Sequence, residues 1–250
     1  MPRNARKKSA SGIYHIMLRG INRQHIFEDN EDNSKFLYII SDCKAISEFQ
    51  LYGYCLMGNH IHLLIKEGKE GLDLIFKRIG ARYVYWYNRK YKRCGHLFQD
   101  RFKSEPVDSD RYFTVVLRYI HQNPVVAGLC DCIANYKWSS YSDYINRTGI
   151  VDYDFVFGII GKNNFESFMN EVRNEECIEI NSPGNYLSDV EAIKKIEETI
   201  KVKVNMIQSE AKKQRDILLA SALKINGISI RQLARVTGIT TNMIWRISNR

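Results

Sequence analysis

The sequence has no long hydrophobic run, and none approaches the roughly 18 apolar residues that a membrane-spanning helix needs. The basic N-terminus, MPRNARKKSASG, is followed by no apolar segment of the length found in secretory signals. We therefore expect a cytoplasmic protein without a membrane partner. The six cysteines form no C-x-x-C pair, which argues against a zinc ribbon or a disulfide framework and favours reduced thiols.

The composition is that of a protein with a packed core and an excess of positive charge. The chain has 250 residues, of which 44% are hydrophobic and 12% aromatic, enough for one large domain or an ordinary domain plus a small one. Its formal net charge of +9 suits an acidic polymer as partner, and nucleic acid is the commonest such polymer.

The pattern of apolar residues predicts an antiparallel α+β fold. Alternation predicts strands over 13–18, 51–57 and 60–66, the last two joined by the turn dipeptide Gly58-Asn59, and a further strand over 96–107 with Gln99, Arg101 and Lys103 on one side. Helical spacing predicts helices from about 29 to 49, from 72 to 93 and from 109 to 122. The third should stop before Pro124, because the residue before proline is disfavoured in the α region. A hairpin within this order fits an antiparallel sheet flanked by helices better than a parallel doubly wound sheet.

The chain is predicted to have three parts. Residues 1–11 form a basic arm, in which Arg3, Arg6, Lys7 and Lys8 are suited to flexible contacts with the backbone of an acidic polymer. A main domain covers residues 12–180, and NSPGN at 181–185 is the clearest linker. Residues 186–250 read as a small, all-helical C-terminal domain.

Two histidines lie one residue apart in GNHIHLLI, residues 58–65, inside an apolar run that reads as a strand. Positions i and i+2 of a strand share a face, so His60 and His62 would stand side by side while Ile61, Leu63 and Ile65 face a core. That geometry suits two nitrogen ligands on one metal ion. The alternative is an ordinary pair of half-buried histidines with hydrogen-bond partners.

The third predicted helix supplies further chemistry. Tyr119 and Asn123 in LRYIHQNP are four residues apart and share a helix face. If that face covers the histidines, two imidazoles and an amide oxygen could bind Mg2+ or Mn2+ and leave positions open for phosphate oxygens. The Tyr119 oxygen could then attack the phosphate in line. Tyr112, seven residues earlier, is the next candidate nucleophile, and His121 points elsewhere and is interpreted as structural.

Five ordered motifs resemble one family, and they cover roughly residues 10–145. They are YHIMLRGINRQHIFEDNED, GYCLMGNHIHLLI, GHLFQDRFKSEPVDSD, LRYIHQNPVVAGL and WSSY. The sequence resembles the REP-associated tyrosine transposases, relatives of the insertion-sequence single-tyrosine HUH transposases. Two positions depart from the family pattern: Gly58 stands where proline is common, and Asp100 where glycine is common.

The resemblance implies a fold, an activity and a site. It implies an HUH-type sheet with flanking helices in the main domain, and cleavage and rejoining of single-stranded DNA next to hairpins through a 5′-phosphotyrosine link. It implies that His60 and His62 bind the divalent metal, that Asn123 completes the metal site, and that Tyr119 is the nucleophile.

Basic and polar residues outside this site are predicted to bind DNA. Ordered contacts are expected from residues beside the predicted strands, namely Arg19, Arg23, Arg101 and Lys103. The segment ISIRQLARVTGITTNMIWRISN has helix-turn-helix spacing and loosely resembles the DNA-binding end of the replication initiator DnaA. Its second helix would present side chains to base edges, namely Thr240, Thr241, Asn242 and Arg246. A helical bundle without such a role is the alternative.

Three functions remain open from the sequence. The first is a metal-dependent single-strand DNA endonuclease and strand transferase, acting on single-stranded or hairpin DNA as a monomer or homodimer. The second is a domesticated sequence-specific DNA-binding protein with weak or no cleavage. The third is a metallohydrolase that uses water instead of tyrosine.

Overall fold

The computed structural model describes residues 6–171, 189–225 and 227–248, so the predicted linker at 181–185 lies outside the described residues. The chain divides into two compact units, Met1–Glu179 and Ile180–Arg250. Each unit has a hydrophobic core of its own. In the ranges described, no helix combines the length and the apolar character needed to cross a membrane.

The first unit is built on a four-stranded antiparallel sheet. Its strands are β1 (Ile13–Arg19), β2 (Gln50–Met57), β3 (His60–Lys66) and β4 (Lys103–Pro106). Their order across the sheet is β2-β3-β1-β4. Gly58 and Asn59 separate β2 from β3, as the sequence predicts for a hairpin.

Helices flank this sheet, which confirms the predicted α+β class. The three long ones are α1 (Asn30–Ser47), α2 (Leu72–Lys90) and α3 (Asp110–Val126). Shorter helices follow as α4 (Tyr141–Asn146), α5 (Tyr153–Ile160) and α6 (Phe165–Asn170). Side-chain caps define two of the starts: Asp29 and Asp32 form a capping box on α1, and Ser109 accepts from the N–H of Tyr112 on α3.

The prediction that the third helix ends before Pro124 is wrong, because α3 continues to Val126. Proline has no N–H, so only the bond to the Ile120 carbonyl is lost, and its fixed φ suits a helix. The last turn is closed behind it, since the N–H of Ala127 donates to the Asn123 carbonyl and that of Leu129 to the Pro124 carbonyl. Asn123 therefore stays within the helix, on the same face as Tyr119.

The strand predicted over 96–107 is also mostly wrong, because only Lys103–Pro106 is a strand. Phe98 makes a single bridge to Gly20. The N–H of Ile21 donates to the Leu97 carbonyl and that of Gln99 to the Arg19 carbonyl, so this end of the segment does pair with the chain beside β1. The ladder is interrupted between Phe98 and Lys103, because these residues are five positions apart whereas their partners Gly20 and Met17 are only three apart, so the intervening residues bulge out of the ladder. Gln99, Arg101 and Lys103 therefore do not form one side of a continuous strand.

Residues 6–11 pack on the first unit rather than extending from it as a free arm. The guanidinium of Arg6 lies 3.7 Å from the ring centroid of Phe102 and forms an ion pair with Asp73. The backbone N–H groups of Ala10 and Ser11 donate to Asp108. Arg3 lies outside the described residues.

A glycine allows α3 to lie close to the sheet. Gly53 of β2 pairs with Leu64 of β3, and a Cβ built on Gly53 would meet Leu117 Cδ1 of α3 at 2.6 Å. Leu117 is fully buried, so its side chain has little room to move. The close approach of helix and sheet therefore depends on the absent side chain.

We expect Gly53→Ala to lower the free energy of unfolding by about 1–3 kcal/mol, because overpacking a core forces side chains and backbone to shift. Urea denaturation measures the change. Gly80→Ala is the matched control, since a Cβ at Gly80 in α2 meets nothing within 4 Å. That control should be neutral or stabilising, by up to about 1 kcal/mol. Equal stability of the two variants would contradict the packing argument.

The second unit is helical in the ranges described. Its helices are α7 (Asp189–Ile200), α8 (Lys212–Leu223), α9 (Ile230–Thr237) and α10 (Thr241–Ser248). Its core includes Ile196, Leu219 and Leu233, all fully buried. Ser229 caps the start of α9, and Gly238 ends it in the left-handed conformation at φ 72°. The predicted helix, glycine turn and helix are therefore present.

Candidate active site

Strand β3 presents the two histidines of the His-x-His motif on one face of the sheet. In register, His60 pairs with Arg19 of β1 and His62 pairs with Met17. The two imidazole centroids are 5.1 Å apart. The intervening Ile61 faces the opposite way and is fully buried, so the strand is anchored by its other face.

Helix α3 places Tyr119 and Asn123 over these histidines. The ring of Tyr119 meets that of His62 edge to face, with centroids 5.6 Å apart. Asn123 hydrogen-bonds His60 through its side chain. Four side chains that sequence reasoning singled out separately are thus gathered at one place. Tyr112 is half-buried against the core, further toward the start of α3.

His121 lies on the other side of α3, as predicted. It is fully buried, and its Nε2 lies 2.8 Å from Ser140 Oγ. Its ring packs edge to face against Tyr141 and Tyr144. This position, within the core and away from the β3 histidines, is that of a structural residue.

Burial keeps both β3 histidines neutral at pH 7. Burial and then the nearby Arg19 guanidinium lower the pKa of His60 to about 4, although its bond to Asn123 acts in the opposite direction. Burial lowers the pKa of His62 well below its usual value, and the neighbouring His15 and His60 lower it further. Neutral imidazole is the form that binds metal ions, so neither ring must lose a proton first.

The surroundings of the two rings fit a metal site. His60 Nδ1 lies 2.6 Å from Asn59 Oδ1, and His62 Nδ1 lies 3.0 Å from His15 Nε2. Metal-binding histidines commonly engage a neighbour through one nitrogen and the ion through the other, and here Nδ1 is the engaged nitrogen in both. Two neutral imidazoles with an amide oxygen are a donor set suited to Mn2+ or Mg2+ with open positions.

The amide is an essential part of that set. Within 6–171, 189–225 and 227–248, no group of three or more His, Cys, Asp and Glu side chains is arranged to hold a metal ion. An ion held by His60 and His62 would need its further ligands from Asn123, water or substrate.

Sequence reasoning missed His15, which is fully buried in the middle of β1. Its ring plane is 28° from that of His62, with centroids 5.2 Å apart, and it meets Tyr119 edge to face at 5.9 Å. A lone histidine in an apolar strand is a weak signal by itself. Antiparallel pairing of 13–19 with 60–66 would have placed it beside His62, but that pairing was not predicted.

The basic residues predicted to bind DNA lie in different places. Arg19 is beside His60, and Lys103 of β4 pairs with Met17 and shares the histidine face. Arg23 follows β1 in a short 3-10 helix. Arg101 instead lines a surface cavity of about 810 Å3 with Tyr14 and Ser104, which belong to the opposite face of the sheet.

Arg19 is partly buried at the end of β1, beside His60. Burial and then the neighbouring Arg23 guanidinium lower its pKa to about 10, so it remains charged at pH 7. Its Nε atom is buried and has no hydrogen-bond partner among the residues that the structure describes. A charged guanidinium beside His60, with a donor still available at Nε, is suited to bind an anionic ligand.

In the second unit, α10 exposes the residues predicted to read DNA. Thr241, Asn242 and Arg246 are all exposed, while Ile244 is buried against the core of the unit. Thr240 lies just before the helix and is also exposed.

Comparisons with known proteins relate the first unit to one family and to one fold. Residues 8–123 match the family described as transposase IS200 like. A solved structure of a REP-associated tyrosine transposase bound to a REP hairpin is 15% identical, with a TM-score of 0.52 over 72% of this chain and 99% of that one. This likeness shows a shared fold.

A crystal structure of a candidate transposase from Deinococcus radiodurans R1 is also 15% identical. Its TM-score is 0.34, over 46% of this chain and 92% of that chain. No curated protein sequence matches the chain.

Proposed function

Because residues 8–123 belong to the IS200-like transposase family, as the resemblance predicted, we propose that this protein is a single-strand DNA endonuclease and strand transferase. The observation that carries the proposal is the meeting of Tyr119 and Asn123 of α3 with His60 and His62 of β3. The two pairs of residues are about sixty positions apart in the sequence and are brought together by the packing of α3 on the sheet.

His60, His62 and Asn123 would hold a divalent ion, Mg2+ or Mn2+. When bound, that ion polarises the scissile phosphate and stabilises its developing negative charge. The chain then supplies a nucleophile: the Tyr119 oxygen forms a bond to phosphorus, and the DNA 3′ oxygen leaves as a hydroxyl. The product is a 5′-phosphotyrosine. Attack by a 3′-hydroxyl on the same phosphorus reverses the step and rejoins the strand.

Hairpin DNA is the proposed substrate. The solved REP-associated tyrosine transposase that shares this fold was bound to a REP hairpin, which supports the same class of ligand here. Arg19 would contact a phosphate near the scissile bond, where a phosphate oxygen would satisfy its buried Nε. Lys103, on the same face of the sheet as the histidines, would bind a phosphate further along the DNA strand. Arg23 and Arg101 would add backbone contacts outside this face.

The second unit would add sequence recognition through Thr241, Asn242 and Arg246 of α10. We expect Asn242→Ala and Arg246→Ala each to weaken binding of the preferred DNA site by about 1–3 kcal/mol. Binding of unrelated DNA should change less, and the two are compared by fluorescence anisotropy at one salt concentration. Lys195→Ala, on the exposed side of α7, is the control for loss of a surface cation. Unchanged preference in both α10 variants would contradict a recognition role.

One experiment separates the proposed function from its two rivals. A labelled single-stranded hairpin oligonucleotide is incubated with the full chain and Mn2+ or Mg2+, and the products are run on a denaturing gel. A covalent protein–DNA adduct that requires the ion supports the transposase chemistry. Retarded DNA on a native gel without cleavage would indicate a DNA-binding protein that has lost activity. Cleavage without any adduct would indicate hydrolysis by water.

A further inference from the structure

His15 has a place in the candidate site but no part in the reaction proposed above. It is fully buried in β1, and its Nε2 lies 3.0 Å from His62 Nδ1. On its other side, His15 Nδ1 lies 3.8 Å from Glu105 Oε2 of β4. Glu105, His15 and His62 therefore follow one another across β4, β1 and β3, on the same face of the sheet.

The contact between the two rings restricts where their protons can be. The 3.0 Å contact puts one nitrogen of each ring within hydrogen-bond distance of the other, and a neutral imidazole carries a single N–H. A hydrogen bond between two such rings needs an N–H on one facing nitrogen and a lone pair on the other. Either His62 Nδ1 donates to His15 Nε2, or His15 Nε2 donates to His62 Nδ1.

Glu105 favours the first arrangement. If His62 donates, the proton of His15 lies on Nδ1, toward the Glu105 carboxylate. If His15 donates, its Nδ1 lone pair faces that carboxylate instead, which is electrostatically unfavourable. The 3.8 Å separation is longer than a hydrogen bond but short enough for this preference in a buried setting.

The two arrangements have opposite consequences for the site. When His62 carries its proton on Nδ1, its Nε2 has a lone pair for an ion. When the proton lies on Nε2, that nitrogen cannot bind an ion at all. His62 is 1% exposed, so water cannot readily replace His15 as the acceptor. His60 obtains the same support from Asn59, its neighbour in the chain, whereas His62 depends on another strand.

We propose that His15 is a positioning residue, oriented by Glu105, which holds His62 in the Nδ1–H tautomer and fixes its ring so that the Nε2 lone pair is available to the divalent ion. The part of this inference that concerns the ion rests on the proposed function. The tautomers of the two rings do not, and they can be measured without metal or DNA.

The first test is long-range 1H–15N correlation NMR on the metal-free protein with 15N-labelled histidines. The expected spectrum shows both His15 and His62 protonated on Nδ1. A spectrum with His62 protonated on Nε2 would overturn the proposal. The Glu105 carboxylate is about one-third exposed, and Glu105→Leu should shift His15 and His62 toward a mixture of tautomers. An unchanged spectrum would show that Glu105 does not orient His15.

The second test compares His15→Phe with His15→Gln by titration with Mn2+, followed by electron paramagnetic resonance of the unbound ion. Phenylalanine keeps the ring but offers no acceptor, so Mn2+ affinity should fall about 10–100-fold. The glutamine amide oxygen can accept from His62 Nδ1, and its affinity should recover most of that loss. Wild-type affinity in His15→Phe, or equal losses in both variants, would overturn the positioning role.

The outcomes separate the two proposals. If the wild-type protein itself binds no Mn2+, the proposed metal-dependent function fails, and the NMR spectrum still decides whether His15 fixes the tautomer of His62. If His15→Phe does not fold, the wild-type and Glu105→Leu spectra decide the same question.

Discussion

Replacement of Tyr119 by phenylalanine should abolish the covalent DNA adduct and lower strand cleavage by roughly 10³-fold or more, the scale seen when a nucleophile is removed. The substitution deletes only the hydroxyl. Phenylalanine can keep the edge-to-face contacts of the ring with His15 and His62, now at centroid distances of 5.9 and 5.6 Å. The variant should therefore bind hairpin DNA and Mn2+ as the wild type does, and fold with similar stability.

The matched control is Tyr112→Phe, because Tyr112 is the other tyrosine on α3 predicted to lie near the same face. It should form the adduct at close to the wild-type rate. Adduct formation is followed on a denaturing gel and hairpin binding by anisotropy in EDTA. If Tyr119→Phe still forms the adduct while Tyr112→Phe does not, the nucleophile is Tyr112. If neither change affects cleavage, the hydrolytic alternative is favoured.

The parts of this site that could be predicted from sequence are those with a local period. Alternation along β3 predicted that His60 and His62 share a face, and helical spacing predicted the same for Tyr119 and Asn123. That the two faces meet was conditional on packing, which a single sequence does not encode locally. Here the packing depends on Gly53, where α3 comes close to the sheet.

The features that the sequence did not predict, or predicted wrongly, also have physical causes. His15 was missed because its importance comes from strand pairing across 47 positions, and no nearby residue signals it. The long strand predicted over 96–107 is wrong because alternation alone cannot show that the residues between Phe98 and Lys103 bulge out of the ladder with β1. The predicted helix end at Pro124 is wrong because proline near the end of a helix removes one hydrogen bond and leaves the following turn intact.

Removal of either β3 imidazole should eliminate metal-dependent cleavage, with a loss of roughly 100-fold or more, while hairpin binding in EDTA falls much less. Each imidazole would supply one of only two nitrogen ligands, so neither can be replaced by the other. Cleavage is measured over a Mn2+ titration, because a weakened site should recover part of its activity at high ion concentration. Full activity of His60→Ala or His62→Ala would contradict the metal assignment.

The two variants should differ in stability, and that difference is itself informative. His62 is buried and bonded to His15, so His62→Ala leaves a cavity and an unpaired nitrogen, which together should cost about 2–4 kcal/mol of unfolding free energy. His60 is less buried and belongs to the turn end of β3, so His60→Ala should cost less. His96→Ala, at an exposed histidine, is the control for both measurements. Since His60→Ala would lose cleavage with little loss of stability, it isolates the chemical role of the imidazole from its role in the core.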